Sequence, residues 1–222
     1  MSKSEGVGDA ELRRYEFAPR ETIAESKWIK LQTINYKLGS AEKFRKWDVA
    51  SRTTKQAKSG VADAVTILAL LSNGASSSNC LDMEVLLVTQ FRPPIEKLSI
   101  ELPAGLIDKG ESAGEAALRE LKEETGYTGV LKGVSPILSQ SPGMTDETTQ
   151  VAVVEVDLSL PENQKPEQRL EDTEKIKVTR VKLTNFMDRL ASHPDDMVAK
   201  GLYFMALGIQ LATQRDVGAK NT

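Results

Sequence analysis

Apolar and polar positions change their period several times along this chain, and each change marks an element. From Lys27 to Thr54 two runs, KWIKLQTINYKL and KFRKWDVASRTT, alternate on either side of GSAE, which predicts a hairpin turning at Gly39 and Ser40. AVTILALL and MEVLLVTQF are short and apolar and read as buried strands. The polar SNGASSSN between them reads as a surface loop. LSIELPAG predicts a further strand, stopped by Pro103 and Gly105. A helical period then runs from Ser112 to Thr125. VLKGVSPILS, TQVAVVEVDL and KIKVTRVKL return to strand patterning, the last with clear alternation. LPENQKPEQRLEDTE is a polar loop of a length that is often functional. TNFMDRLASH and MVAKGLYFMALGIQLATQ close the chain with helical periodicity. Strands around one central helix, with helix at the end, predict an α/β fold: a mixed sheet in an α/β/α sandwich with a small N-terminal β element. The expected organisation is a polar, poorly ordered arm over 1–20, the β element over 21–58 and the main domain over 59–215.

The central helix carries clear end signals. Ser112 followed by Glu115 is a capping box, and Gly126 supplies the C-terminal stop. On a helical wheel Ala117, Leu118, Leu121 and Thr125 form an apolar stripe. Glu120, Glu123 and Glu124 form a second stripe beside it, while Arg119 and Lys122 are expected to point to solvent. Glu120 and Glu124 are an i, i+4 like-charge pair, which costs about 0.2–0.5 kcal/mol. Glu123 and Glu124 sit in the last turn, where the helix dipole disfavours acids by roughly 0.3–1 kcal/mol each. A solvated acidic face is the ordinary explanation of such a cluster, but these acids border the core stripe. Local rules broken at one place point to a site, and a hard divalent cation turns this repulsion into ligation.

Composition narrows the chemistry. The 222 residues suffice for one domain and a small accessory element, and 40% hydrophobic with 27% charged residues is a globular balance. A formal net charge of −3 argues against a nucleic-acid partner. The single histidine, His193, falls in a helical pattern and reads as a surface or capping residue, so an all-oxygen site favouring Mg²⁺ or Mn²⁺ over Zn²⁺ is expected. The single cysteine, Cys80, allows no intrachain disulfide and has no basic neighbour in sequence to activate it. The N-terminus has no apolar stretch of signal-peptide length and carries early acids, and no apolar run is long enough to span a bilayer. No membrane partner is expected, and the cytoplasm or nucleus is the expected compartment.

The run GLIDKGESAGEAALRELKEETGY, Gly105 to Tyr127, resembles the Nudix box at every fixed position: Gly105, Glu111, Arg119, Glu120, Glu123, Glu124 and Gly126, with Leu121 and Tyr127 in apolar slots. ESKWIKLQ, KWDVASRTT, QFRPPIEKLSIELPAGLID and Pro142 extend the likeness to the eukaryotic ADP-ribose (ADP-sugar) pyrophosphatase subfamily across residues 25–210. SQSPGMTDE stands where the NADH pyrophosphatases have their own motif, and RLEDTEKI departs from the glycine-richer loop of animal members. The resemblance implies a Nudix sandwich and Mg²⁺-dependent hydrolysis of ADP-ribose to AMP and ribose 5-phosphate. Two alternatives stay open: another nucleoside diphosphate derivative such as GDP-mannose or 8-oxo-dGDP, or a non-catalytic module that binds ADP-ribose.

The resemblance also implies roles. Glu120 and Glu124 are expected metal ligands, joined by Glu123 and the carbonyl of Ala104. Arg119 would orient a box glutamate, and Glu111 would play a structural or outer role. Arg92 and Arg52 would clamp phosphate. Read alone, Trp28 and Trp47 would be core residues; the resemblance makes them adenine-stacking groups contributed by two subunits of a homodimer built through the N-terminal element. Glu101 would contact substrate, and Gly143, Met144, Thr145 and Asp146 would line the ribose side. Glu174 is the expected water-activating base, with Glu123 as its competitor.

Overall fold

The computed structural model describes residues 14–39, 41–55, 60–74 and 82–219, with side chains to 213. Cys80, the SNGASSSN loop from 75 on, Ser40 of the expected turn and the first 13 residues of the expected arm lie outside the described residues. The chain divides into two units, Met1–Asp63 with Ser139–Thr148, and Ala64–Leu138 with Thr149–Thr222.

The first unit is a four-stranded antiparallel sheet of β1 (Tyr15–Phe17), β2 (Glu21–Glu25), β3 (Ile29–Leu38) and β4 (Arg45–Arg52). β3 is central: β1 and β2 pair along one side and β4 along the other. The hairpin of β3 and β4 runs in register from Ile29 opposite Arg52 to Tyr36 opposite Arg45. Part of the segment expected to be an unordered arm is therefore strand. Tyr15–Phe17 pairs with Tyr36–Leu38, and every residue of β1 and β2 is exposed, which is why hydrophobic patterning does not reveal them.

The second unit is built on a nine-stranded mixed sheet. Its spine is β5 (Ala64–Ser72), β6 (Glu84–Arg92) and β7 (Lys97–Glu101). β8 (Ala104–Leu106) returns antiparallel onto β5. After α1 (Ala113–Thr125) come β9 (Val130–Val134), β10 (Leu138–Ser139) and β11 (Thr148–Asp157). β11 pairs parallel with β5 over its whole length. A short α2 (Pro161–Gln164) leads to the loop before β12 (Ile176–Lys182), which pairs antiparallel with β6. α3 (Phe186–Ala191), β13 (Met197–Val198) beside β7, and α4 (Lys200–Ala219) complete the unit.

Both faces of the spine are covered, so its strands read as continuous apolar runs. Val85, Leu87, Ile100 and Val181 pack with Phe186, Leu190, Leu202 and Ala206 of α3 and α4, and Leu68 and Leu70 join them. Successive strand residues face opposite sides, so Val65, Ile67, Ala69 and Leu71 bury the other face, where α1 meets β5. Among the described residues no helix is long and apolar enough to cross a membrane.

Candidate active site

The site is assembled around α1, whose two ends are fixed by its own sequence. Ser112 Oγ accepts from the Glu115 N–H while Glu115 accepts from the Ser112 N–H, and Gly126 ends the helix at φ 77°. The buried residues of α1 are Gly114, Ala116, Ala117, Leu121, Glu124 and Thr125. Leu118, expected in the apolar stripe, is exposed. The helix is rolled towards its acidic side, and Glu124 is only 4% exposed.

Arg119 does not point to solvent as expected. Its guanidinium makes a two-bond fork with Glu111, Nε to Oε1 at 2.9 Å and Nη2 to Oε2 at 3.0 Å. The same group donates to Glu120 Oε1 at 2.7 Å, Glu123 Oε2 at 3.1 Å and the Leu106 carbonyl at 3.0 Å. One cation thus fixes three box carboxylates and the end of β8, which the rigid, multiply donating plane of arginine suits and lysine does not. The hydrogen bonds from Arg119 hold Glu111 below the usual carboxylate range. Burial pushes Glu120 the other way, with repulsion from Glu123 and Glu174 adding to it, despite its contact with Arg119.

Glu124 is the most perturbed of these acids. Burial pushes its carboxyl up to about 8, with the charges of Glu120 and Glu174 adding, against the opposing hydrogen bond from the Ala104 N–H at 3.0 Å. β8 supplies that N–H because β5 holds it, with Thr66 opposite Ala104 and Val65 opposite Gly105. A β-carbon at position 105 would stand 1.9 Å from Cδ of Glu120, so only glycine lets the carboxylate lie against the strand. Ala104 therefore enters the site through its N–H to Glu124.

On the neighbouring strands Arg92 forks onto Glu101, Nε to Oε1 at 2.9 Å and Nη2 to Oε2 at 2.6 Å. Burial works to raise Glu101, but hydrogen bonds from Arg92 and Ser99 outweigh it and hold the acid below its usual range. The loop before β12 closes against α1: the Arg169 N–H donates to the Glu123 carbonyl at 2.8 Å. Glu174 accepts from the Glu171 N–H at 3.0 Å, and its charge acts on Glu120, Glu124 and Arg92, so it stands within electrostatic reach of all three. Sequence reasoning missed Gln168, whose side-chain amide joins the end of α1 to the start of β12. A glutamine in a polar loop gives no periodic signal.

Among the described residues no three His, Cys, Asp or Glu side chains form a closed metal cage. Glu120 and Glu123 are held by Arg119 instead. Two cavities of this unit lie elsewhere: one of about 360 Å³ lined by Ser72, Thr128, Lys132 and Leu160, the other of about 280 Å³ lined by Tyr127, Pro166 and Arg180. No box carboxylate lines either of them.

The remaining expected site residues lie in the first unit. Trp28 and Trp47 are 58% and 48% exposed, so the core reading suggested by sequence alone does not hold. Trp47 Nε1 donates to the Gly143 carbonyl at 3.2 Å, and the Ala50 N–H donates to the Met144 carbonyl at 3.0 Å. Arg52 pairs with Glu147 at 2.7 Å, and Asp146 pairs with Arg20 at 2.8 Å. The 139–148 segment is thus pinned along β4, bringing Trp47, Arg52, Gly143, Met144 and Asp146 into one region. Trp28 lies at the far end of the hairpin, with Lys27 Nζ 4.4 Å from its ring centre.

An acid-rich helix, a glycine strand pressed on one of its carboxylates and a mixed sheet beneath them define an α/β domain with a carboxylate site on its central helix. The NUDIX domain model matches residues 63–200, and the chain belongs to that family. It is 48% identical over 167 residues to the ADP-ribose pyrophosphatase of Saccharomyces cerevisiae, covering 75% of this chain and 69% of that protein. It is 37% identical over 170 residues to the ADP-sugar pyrophosphatase of Mus musculus, covering 77% and 74%. A crystal structure titled as an ADP compounds hydrolase shares the fold, with a TM-score of 0.63 at 22% identity over 93% of this chain and 97% of that one.

Proposed function

We propose that this protein hydrolyses the pyrophosphate bond of ADP-ribose and related ADP-sugars, giving AMP and a sugar phosphate, with Mg²⁺ or Mn²⁺ as cofactor. The observation that carries the reading is the set of acids on one side of α1: Glu124 buried and Glu120 half-buried, both raised by burial first and then by the charges of neighbouring acids, beside Gly105. The relatives named for ADP-ribose and ADP-sugars support the substrate class.

The residues fit a hard divalent cation. Their donors are all oxygen, and the two raised carboxyls are the groups a cation would return to their charged forms. Mg²⁺ is commonly bound through one or two carboxylates together with substrate phosphates, so the lack of an all-protein cage agrees with this ion. Glu120 and Glu124 would hold it, with Glu123 as a third ligand; Arg119 binds one oxygen of Glu120 and one of Glu123, and the second oxygen of each would face the ion. When bound, the metal supplies charge neutralisation on the pyrophosphate and acidifies water.

The chain's own groups do the rest. Arg119 keeps Glu111, Glu120 and Glu123 in fixed orientations, which saves reorganisation during reaction. Arg92, freed from Glu101, offers a two-donor fork to phosphate. Water oxygen bonds to one phosphorus as the bridging oxygen leaves with the other phosphate, and a carboxylate accepts the water proton. Glu174 is the preferred base, because its carboxylate accepts from the Glu171 N–H and makes no salt bridge among the described residues, whereas Glu123 is paired to Arg119.

In the first unit, Trp28 and Trp47 are proposed as base-stacking groups. Trp28 adjoins Ile29, opposite Arg52, and Trp47 lies opposite Ile34. Trp28 is therefore offset from Trp47 by six positions, about 20 Å along a strand. Two rings that sandwich a base are roughly 7 Å apart. Both rings can flank one base only if the second comes from another copy, which favours a homodimer.

The test is steady-state hydrolysis with Mg²⁺ of ADP-ribose, ADP-glucose, GDP-mannose, NADH, diadenosine polyphosphates and 8-oxo-dGDP. ADP-ribose is expected to give the highest kcat/KM, with activity abolished by EDTA and restored by Mg²⁺. A flat profile, or a preference for a non-adenine substrate, overturns the substrate assignment.

A further inference from the structure

The last four carbonyls of a helix have no partner within it. At the end of α1, two of them are taken by the loop before β12. The Arg169 N–H donates to the Glu123 carbonyl at 2.8 Å, and Gln168 Nε2 donates to the Glu124 carbonyl at 2.6 Å. The same Nε2 donates to the Ile176 carbonyl at 3.1 Å, at the first residue of β12. Gln168 therefore ties the beginning of the 169–175 loop to its end, and both to the residue that carries the buried Glu124 carboxylate.

The close approach is written into the glycine as well. A β-carbon at Gly126 would stand 2.4 Å from the Glu167 nitrogen, so the stop signal of α1 is also the seat of the loop. Within the closed loop, Glu174 bonds back on itself: its N–H donates to the Glu171 carbonyl and its carboxylate accepts from the Glu171 N–H, both at 3.0 Å. Among the described residues no other side-chain hydrogen bond of Glu171 to Glu174 ties this turn to the sheet.

We infer that Gln168 is a positioning residue for hydrolysis, a clasp that fixes the Glu174 turn relative to the acid-bearing helix. This deepens the function proposed above and rests on its assignment of Glu174 as the base. Gln168 touches neither substrate nor metal in this account. Its two donated bonds set where the Glu174 carboxylate stands.

The experiment is a double-mutant cycle on kcat for ADP-ribose with Mg²⁺, using Gln168→Ala, Glu174→Gln and both together. Removing the clasp is expected to lower kcat about three- to tenfold, the range of one or two modest hydrogen bonds, with KM within about twofold. In the Glu174→Gln background the same change is expected to have almost no effect. Equal losses in both backgrounds overturn the clasp while leaving Glu174 as base. If Glu174→Gln alone leaves kcat unchanged, the base assignment fails and the clasp with it. Hydrogen exchange on Gln168→Ala gives a readout independent of turnover. The Arg169 and Glu174 amides should exchange at least about tenfold faster while those of β6 do not change. Unchanged exchange in the loop overturns the proposal.

Discussion

Gly105 and Glu120 lie so close that a β-carbon at 105 would stand 1.9 Å from Cδ of the glutamate. Strand β8 and helix α1 are thus fitted to each other through a missing methyl group. Gly105→Ala must displace the Glu120 carboxylate, and with it one of the contacts of Arg119. The variant should lose about 1–3 kcal/mol by overpacking. Its kcat should fall by roughly tenfold or more, since a carboxylate proposed to hold the metal is costly to misplace by an ångström. Thermal unfolding and steady-state kinetics check both. Wild-type turnover in a folded G105A protein would remove Glu120 from the site.

Glu124 gives a prediction in which activity and stability move in opposite directions. Its carboxyl rises from an ordinary 4.5 to about 8 in the folded protein. A group whose folded value is raised holds its proton more tightly when folded. Below about 4.5 both states are protonated and there is no penalty; from there to about 8 the folded state loses ground steadily. Metal-free wild-type protein should therefore lose a few kcal/mol across that window, on the scale of about 1.4 kcal/mol per unit. Glu124→Gln keeps an acceptor for the Ala104 N–H and removes the titration. It should be more stable than wild type at pH 8 in EDTA and indistinguishable at pH 4, while kcat with Mg²⁺ falls roughly 10²–10⁴-fold. Mg²⁺ should raise the Tm of wild type far more than that of the variant. Denaturant titrations at the two pH values decide.

Arg119 should not tolerate a conservative change. Its five hydrogen bonds use the fork towards Glu111 and the other edge towards Glu120, Glu123 and Leu106. A lysine ammonium supplies three donors at one point and cannot span this arc. Arg119→Lys should lower kcat about 10–100-fold, equivalent to roughly 1.4–2.7 kcal/mol of transition-state stabilisation. KM for ADP-ribose should change little, because Arg119 is expected to orient acids rather than touch substrate. A purely KM effect would instead make Arg119 a substrate ligand.

The contrast between Leu118 and Glu124 shows how far the sequence could be read. Both lie about 60° from Leu121 on the wheel, on opposite sides, at 100° per residue. Hydrophobicity alone buries the leucine. The helix is rolled the other way, because β8 offers Glu124 an N–H and Arg119 gathers the acids beside it. That choice depends on contacts between segments, which periodicity does not encode. Both caps of α1 were legible because they are local chemistry. So were β5 and β6, whose apolar runs answer to helices on both faces. The parallel pairing of β11 with β5 and the exposed strands β1 and β2 were not. The box acids stood out because they violate helix electrostatics; Gln168 violates nothing and stayed hidden.

Trp47 is half exposed, its ring edge-on to Tyr36 at 6.4 Å and its N–H on the Gly143 carbonyl. A residue so placed contributes little to a core and has an open surface to offer. Trp47→Ala should therefore lower Tm by only a few degrees, the shift expected for about 1 kcal/mol in a domain this size. It should weaken ADP-ribose binding by about 1–3 kcal/mol if a base stacks there. Trp47→Phe, which keeps a flat ring but not the N–H, should recover most of that affinity. Calorimetry with a non-hydrolysable ADP-ribose analogue measures it directly. If the alanine variant binds as tightly as wild type, the exposed ring serves self-association instead, and sedimentation should then show a smaller species for the variant than for wild type.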